Sequence, residues 1–145
     1  MARVRDILAG KGSHVHALPA TTTVLDATVY MNEHRIGALV VTGETGMVGM
    51  FTERDVLRRV VAEQRPPADV RIADVMTSDI ICIAPETDID DASRIMKDRR
   101  IRHLPVNDAD GRLLGLISIG DINAYHASDQ ETTIHYLNDY IQGRV

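Results

Sequence analysis

The chain carries its own pattern twice, and that duplication limits what it can fold into. Displacing the sequence by 65 positions brings Thr22 onto Thr87, Asp26 onto Asp91, Ala27 onto Ala92 and Met31 onto Met96. The same shift aligns Arg35 with Arg100, Ile36 with Ile101, Leu39 with Leu104, Val41 with Val106 and Gly46 with Gly111. After one inserted residue the offset becomes 66, and Gly49 meets Gly115, Thr52 meets Ser118 and Asp55 meets Asp121. Upstream, Val4–Leu8 matches Ile72–Met76 at an offset of 68, so the first copy has three extra residues around Gly10-Lys11-Gly12-Ser13. Glycines and charged residues recur in order, which points to duplication. A repeat this short buries too little apolar surface alone, so two copies must share a core.

Each copy reads β-α-β-β-α behind a short helical turn (Val4–Leu8; Ile72–Met76). Strands are expected at Val15–Leu18 and Ile80–Ile83, with Pro19 and Pro85 marking the turns that follow. A helix comes next, with Val24, Ala27, Thr28 and Met31 on one face in the first copy and Ile89, Ala92, Ile95 and Met96 in the second. Two apolar strands then flank a turn at Gly46 or Asp110-Gly111. They are Ala38–Val41 and Met47–Phe51, then Leu104–Val106 and Leu113–Ser118. The last helices start near Glu53 and Ile119. The expected fold is therefore α+β, two repeats related by pseudo-twofold symmetry and packed sheet to sheet, plus a C-terminal helix. Repeat 1 spans 1–66, repeat 2 spans 67–126, and the tail is 127–145, with Arg65-Pro66-Pro67-Ala68-Asp69 as the link. In the tail, Ser128 and Asp129 are candidate caps and Gly143 a candidate stop. Ile134, Leu137 and Ile141 share a helical face flanked by Tyr136 and Tyr140, which suits packing on the chain itself or a dimer contact.

Composition excludes several classes. Over 145 residues, 44% are hydrophobic and 26% charged, a globular balance and not a disordered one. The net charge of −5 disfavours nucleic-acid binding, and one Phe, four Tyr and no Trp leave little to stack on bases. No apolar run approaches the roughly 18 residues of a membrane span. The N-terminal residues lack the pattern of a secretory signal, so a cytoplasmic location is expected. A single cysteine, Cys82, makes neither an internal disulfide nor a thiolate cage.

The most informative repeated motif is Gly-x-x-[Thr/Ser]-x-x-Asp, at Gly49–Asp55 and Gly115–Asp121, where a strand becomes a helix. One reading is a capping box, in which the hydroxyl and carboxyl satisfy free N–H groups of the first turn. A second reading adds a ligand. The helix N-terminus and the hydroxyl favour a phosphate, and a carboxylate one turn on can accept hydrogen bonds from a ribose diol.

On these motifs, and on the Asp-Ile-Leu and Asp-Val-Met-Thr openings, Arg35–Val41 and Arg100–Val106, residues 1–126 resemble a tandem pair of CBS domains. With the tail, the whole chain is similar to small stand-alone bacterial members, regulatory modules that sense adenine nucleotides. The resemblance implies two clefts between the copies, with hydroxyl on phosphate and Asp on ribose. One site would hold Thr52, Arg54 and Asp55 with Thr77, Ser78, Ile80 and Ile81, and with Gly37 and Ala38 from the Arg35–Val41 motif. The other would hold Ser118 and Asp121 with Lys11, Gly12, His14 and Val15, and with Arg102, His103 and Pro105. Because the first copy has Gly37-Ala38 where the second has Arg102-His103, unequal sites are expected. The implied ligand is AMP, ADP, ATP or NAD, the implied output is energy or redox signalling by conformational change, and the implied partners are a second copy and a regulated protein. Two other readings stand beside it, a ligand-independent homodimeric scaffold and, third, a nucleotide-processing enzyme.

The remaining candidates point to no catalytic or metal residues. His14-x-His16 puts two rings on one face, half of a metal site at most, with no third ligand evident in sequence. Cys82, within Ile80-Ile81-Cys82-Ile83, is expected to be a small buried hydrophobe. Asp88, Asp90 and Asp91 read as a helix-start bias, and Arg94, Lys97, Arg99, Arg100 and Arg102 as a solvated basic stretch with some pull on phosphate.

Overall fold

The computed structural model describes residues 2–12 and 14–142. In chain order its elements are α1 (Val4–Lys11), β1 (Ala17–Pro19), α2 (Val24–His34), β2 (Ala38–Gly43), β3 (Gly46–Thr52) and α3 (Glu53–Asp55). The α3 turn runs on as a π-helical segment, Val56–Val61, and a 3-10 turn at Pro67–Asp69 follows. Then come α4 (Ile72–Val75), α5 (Ile89–Arg99), β4 (His103–Asn107), β5 (Leu113–Ser118) and α6 (Ile119–Ile141). Local chemistry explains the boundaries. Thr23 accepts the Asp26 N–H and caps α2. Both α2 and α5 stop at an arginine in the left-handed region, Arg35 (φ 54°) and Arg100 (φ 55°). The N–H of the next residue, Ile36 or Ile101, then reaches back to Met31 or Met96 at 3.0 Å. The hairpins turn at Gly46 (φ 134°) and Gly111 (φ 81°), angles that L side chains rarely adopt.

The chain forms two compact units, and these are not the sequence repeats. One is His14–Ile81; the other joins the residues up to 13 with those from Cys82 onward. Each unit is completed by the opening helix of the other repeat. In His14–Ile81 the sheet order is β1-β2-β3, with β1 parallel and β3 antiparallel to β2. There α4 is tied by Ile72 N–H to Thr22 O (2.8 Å) and by Val24 N–H to Val70 O (2.7 Å). In the other unit β4 pairs antiparallel with β5, and α1 is tied by Val4 N–H to Thr87 O (2.9 Å) and by Ile89 N–H to Ala2 O (3.2 Å). Under the repeat offsets these are the same bonds made twice.

The cores repeat as well. Val24, Ala27, Met31, Leu39, Val41, Phe51, Ile72 and Val75 are buried in one unit. Their counterparts Ile89, Ala92, Met96, Leu104, Val106, Ile117, Val4 and Ile7 are buried in the other. Each large aliphatic side chain so buried contributes about 1.5–3 kcal/mol against exposure.

Four sequence expectations are corrected. The first strand begins at Ala17, not Val15. The expected strand at Ile80–Ile83 shrinks to one parallel bridge, Ile83 with Val106. Its counterpart β1 is supported by Val40 N–H donating to His16 O (2.9 Å), and Pro105 stands where Val40 does but has no N–H to give. Cys82 is exposed while Ile83 is buried, the same out-and-in order as their counterparts Ala17 and Leu18 in β1, so the cysteine falls on the outward side. The tail is no separate helix. Helix α6 passes uninterrupted through Ser128 and Asp129, which lie inside it and not at a helix start, because no Gly or Pro stands between Asp121 and Ile141 to break it. The expected stop, Gly143, lies outside the described residues.

Candidate functional site: two capping boxes at repeated helix starts

Both motif segments end their strand on an extended residue, Thr52 (φ −128°, ψ 164°) or Ser118 (φ −116°, ψ 164°), and enter a helix. Both close a capping box. Asp55 N–H donates to Thr52 Oγ1 at 3.3 Å, and Thr52 N–H returns to Asp55 Oδ2 at 3.0 Å. Asp121 N–H donates to Ser118 Oγ at 3.1 Å, and Ser118 N–H returns to Asp121 Oδ2 at 2.8 Å. The glycine opening each motif admits the neighbouring helix. A Cβ on Gly49 would meet Met76 Sδ at 2.5 Å and Thr77 O at 2.9 Å, and one on Gly115 would meet Leu8 Cδ2 at 2.7 Å. Leu8 and Met76 are thus equivalent in space as well as in sequence.

Beyond this shared frame the two carboxylates differ. Asp55 is 5% exposed, the one buried charged residue among those described. Thr52 Oγ1 also donates to its Oδ2 (3.3 Å), Thr77 Oγ1 donates to its Oδ1 (3.2 Å), and Arg59 Nε stands 3.8 Å from Oδ1. Thr77 is itself pinned by a two-way backbone bridge to Met50 (2.8 and 2.9 Å). The Asp121 side chain is 23% exposed, and its Oδ2 receives the Lys11 ammonium at 2.7 Å. Lys11 Nζ also donates to Leu116 O at 2.9 Å. Partial burial alone would raise the Asp121 pKa, but Lys11 and Ser118 outweigh it and hold the carboxyl below the ordinary carboxylate range.

The other expected site residues fall around these frames unevenly. Gly37 carries no side chain over the first helix start, and the Glu53 carboxylate lies against it, where a Cβ would collide. Gly37 and Glu53 also line an open hollow of about 490 Å³ with Thr28, Met31, Asn32, Arg35, Ile36 and Val56. The second helix start has Arg102, exposed, and Ile119 at the same two places, with Arg102 O accepting the Ile119 N–H (2.8 Å). Ala38 is buried in β2 and Arg54 is half-buried. Ser78 is exposed, and Ile80 and Ile81 are half-buried in irregular chain after Thr77. His103 and Pro105 lie in β4, Gly12 ends α1, and His14 and Val15 belong to the other compact unit from Ser118.

Sequence reasoning missed one cluster. His34 joins His14 and His16, with ring centroids 4.9 Å (His34) and 4.8 Å (His14) from His16. Tyr30 stacks on His34 at 4.0 Å. The i, i+4 spacing of Tyr30 and His34 on α2 was the available signal. The Nδ1 atoms turn to Tyr30, His16 to its hydroxyl (2.8 Å) and His34 to its carbonyl (2.9 Å), and not to a common point. Among the described residues no group of three or more His, Cys, Asp or Glu side chains is placed to hold a metal ion. Partial desolvation pushes the pKa of the exposed Cys82 thiol up, against a hydrogen bond with Asn107 that lowers it. No described helix is long and apolar enough to cross a membrane.

The duplicated box matches a known family. The family model for the CBS domain fits residues 4–62 and again 72–127. The chain belongs to the CBS-domain family. As a tandem CBS pair it is a module of a kind that typically takes adenosine-containing ligands and is usually regulatory. It is 37% identical to the mitochondrial CBS domain-containing protein CBSX3 of Arabidopsis thaliana, over 97% of this chain and 72% of that one. Among solved structures it resembles a protein with CBS domains from Burkholderia ambifaria MC40-6, at TM-score 0.86 and 36% identity, covering 89% of this chain and 96% of that one. A CBS domain pair solved with 5′-methylthioadenosine and S-adenosyl-L-methionine shares the fold at TM-score 0.75 and 23% identity, covering 86% and 99%.

Proposed function

We propose that this CBS pair is a regulatory module that binds an adenine nucleotide (AMP, ADP, ATP or NAD) at its capping-box helix starts and signals by conformational change. The observation that carries this reading is the Ser118–Asp121 box at the start of a 23-residue helix, with the Lys11 ammonium 2.7 Å from the carboxylate. Helix N–H groups and the ammonium suit phosphate, and the carboxylate suits ribose hydroxyls. Signalling then requires that the ligand bind two conformations with different affinity. Calorimetric titration of the full chain with AMP, ADP, ATP and NAD tests the reading. Saturable heat with at least one of them is the expected result, and none with any, in folded protein, overturns it.

A second reading is a homodimeric scaffold. It is favoured by α6, where Ile134, Leu137 and Ile141 are 58, 51 and 79% exposed on one face. Nucleotide binding and dimer formation are compatible, so sedimentation with and without ligand separates scaffold from sensor.

A further inference from the structure

The two copies serve as each other's control. Wherever one helix start differs from the other, the difference cannot be put down to the fold. Four such differences of charge and access disfavour a ligand at the first start, against one that favours it, the Arg59 guanidinium near Asp55 where the second copy has Tyr125. At the first start a hydroxyl, Thr77 Oγ1, occupies Asp55 Oδ1. The offset of 68 that aligns Met76 with Leu8 aligns Thr77 with Ala9, whose methyl group donates nothing. The first start places the Glu53 carboxylate against Gly37, and the second has Ile119 and Arg102 in those positions. Asp55 is buried and Asp121 is not. Finally, α1 runs to Lys11 whereas its counterpart α4 stops at Val75, so a cation reaches only the second carboxylate from the opening helix.

We propose that the chain has a single nucleotide site, at Ser118 and Asp121, and that Lys11 makes it select adenine ligands that carry phosphate over those that do not. The inference rests on the nucleotide-binding reading above and narrows it. At the first start a ribose diol would have to displace a bridged threonine from a buried, saturated carboxylate, and an incoming phosphate would meet Glu53. At the second, Lys11 and Asp121 form a half-exposed ion pair (37 and 23% exposed), a weak tie that a stronger anion can break. A phosphate or polyphosphate draws the ammonium away, and the departing cation uncovers the carboxylate for the ribose. A nucleoside without phosphate offers the ammonium no anion in exchange, so Asp121 Oδ2 stays paired with Lys11. Lys11 is thus both a phosphate contact and a cover on the ribose contact.

The test is calorimetry of the full chain with ATP and with adenosine, on wild type, Lys11→Met and Lys11→Arg, each checked for folding by circular dichroism. The expected results are one ATP per chain and at least about tenfold weaker ATP binding in Lys11→Met, as loss of a charge-assisted contact predicts. Adenosine affinity should be unchanged or improved in the same variant, and Lys11→Arg should recover ATP binding. Two ATP per chain, or equal losses of ATP and adenosine in Lys11→Met, overturns the inference and leaves the nucleotide-binding reading intact. If Lys11→Met does not fold, Lys11→Arg binding ATP more weakly than adenosine has the same effect. A wild type that binds no adenine compound overturns both.

Discussion

The Tyr30 hydroxyl lies 2.8 Å from His16 Nδ1, and this contact fixes a ring that two further histidines crowd. Burial, then the charges of His14 and His34, lower the His16 pKa below its ordinary value near 6.5. Above pH 6.5 the ring is neutral in both states. As the pH falls below that, the unfolded chain takes up the proton first and the folded state is penalised. Stability should therefore drop between about pH 6.5 and the lower folded pKa, then level off. His16→Asn should flatten that step in urea melts followed across pH. An unchanged step would assign it to other groups.

Asp121 sets a second, more acidic window. Its carboxyl is held below the ordinary value of 3.8, so its contribution is fully present above that pH and lost as pH falls through the folded pKa. Lys11→Met should move this loss to higher pH, because the main stabilising charge is gone. Titration of Asp121 by NMR measures it directly.

The two motif carboxylates should differ in structural weight. Asp121→Ala removes a half-exposed cap, at a cost of about 0.5–2 kcal/mol. Asp55→Ala leaves two half-buried hydroxyls, of Thr52 and Thr77, and the Thr52 N–H without their acceptor, at about 2–4 kcal/mol. Paired denaturant melts should rank them in that order, and equal losses would contradict the burial difference.

The two motif glycines should separate as well. An alanine at Gly49 meets the Thr77 backbone, which is held by its bridge to Met50, and overpacking of this kind costs about 1–3 kcal/mol. At Gly115 the obstacle is the flexible end of Leu8, so Gly115→Ala should change stability by less than about 1 kcal/mol.

For the exposed stripe on α6, Leu137→Asp should shift sedimentation of a dimer toward the monomer while the circular dichroism of the folded chain stays unchanged. No change in sedimentation would show that this face is not the contact.

The buried positions were readable in the sequence because a duplicated core must satisfy the same packing twice: Met31 and Met96, or Leu39 and Leu104, constrain each other. The capping boxes were readable for the same reason. What escaped depends on single residues that break the symmetry. Pro105 withholds one N–H and dissolves a strand that alternation predicts. The resemblance grouped Lys11 with Asp121, but the direct ion pair, which the three extra residues near Gly12 allow by letting α1 extend, is announced by no local pattern. The choice of partner for each opening helix also escaped. Thr22 and Thr87 offer the same carbonyl to the incoming helix, so the repeat presents two equal docks and periodicity cannot say which one is used.

The crossing-over of those opening helices has a practical consequence. A gene divided between the codons for Pro66 and Pro67 would yield two peptides, each carrying the other's missing piece. Neither should hold a native hydrophobic interior on its own, whereas mixing them could restore both. The duplication thus looks modular when read along the ribosome's product, yet as a folding machine it is indivisible at the seam its own arithmetic suggests.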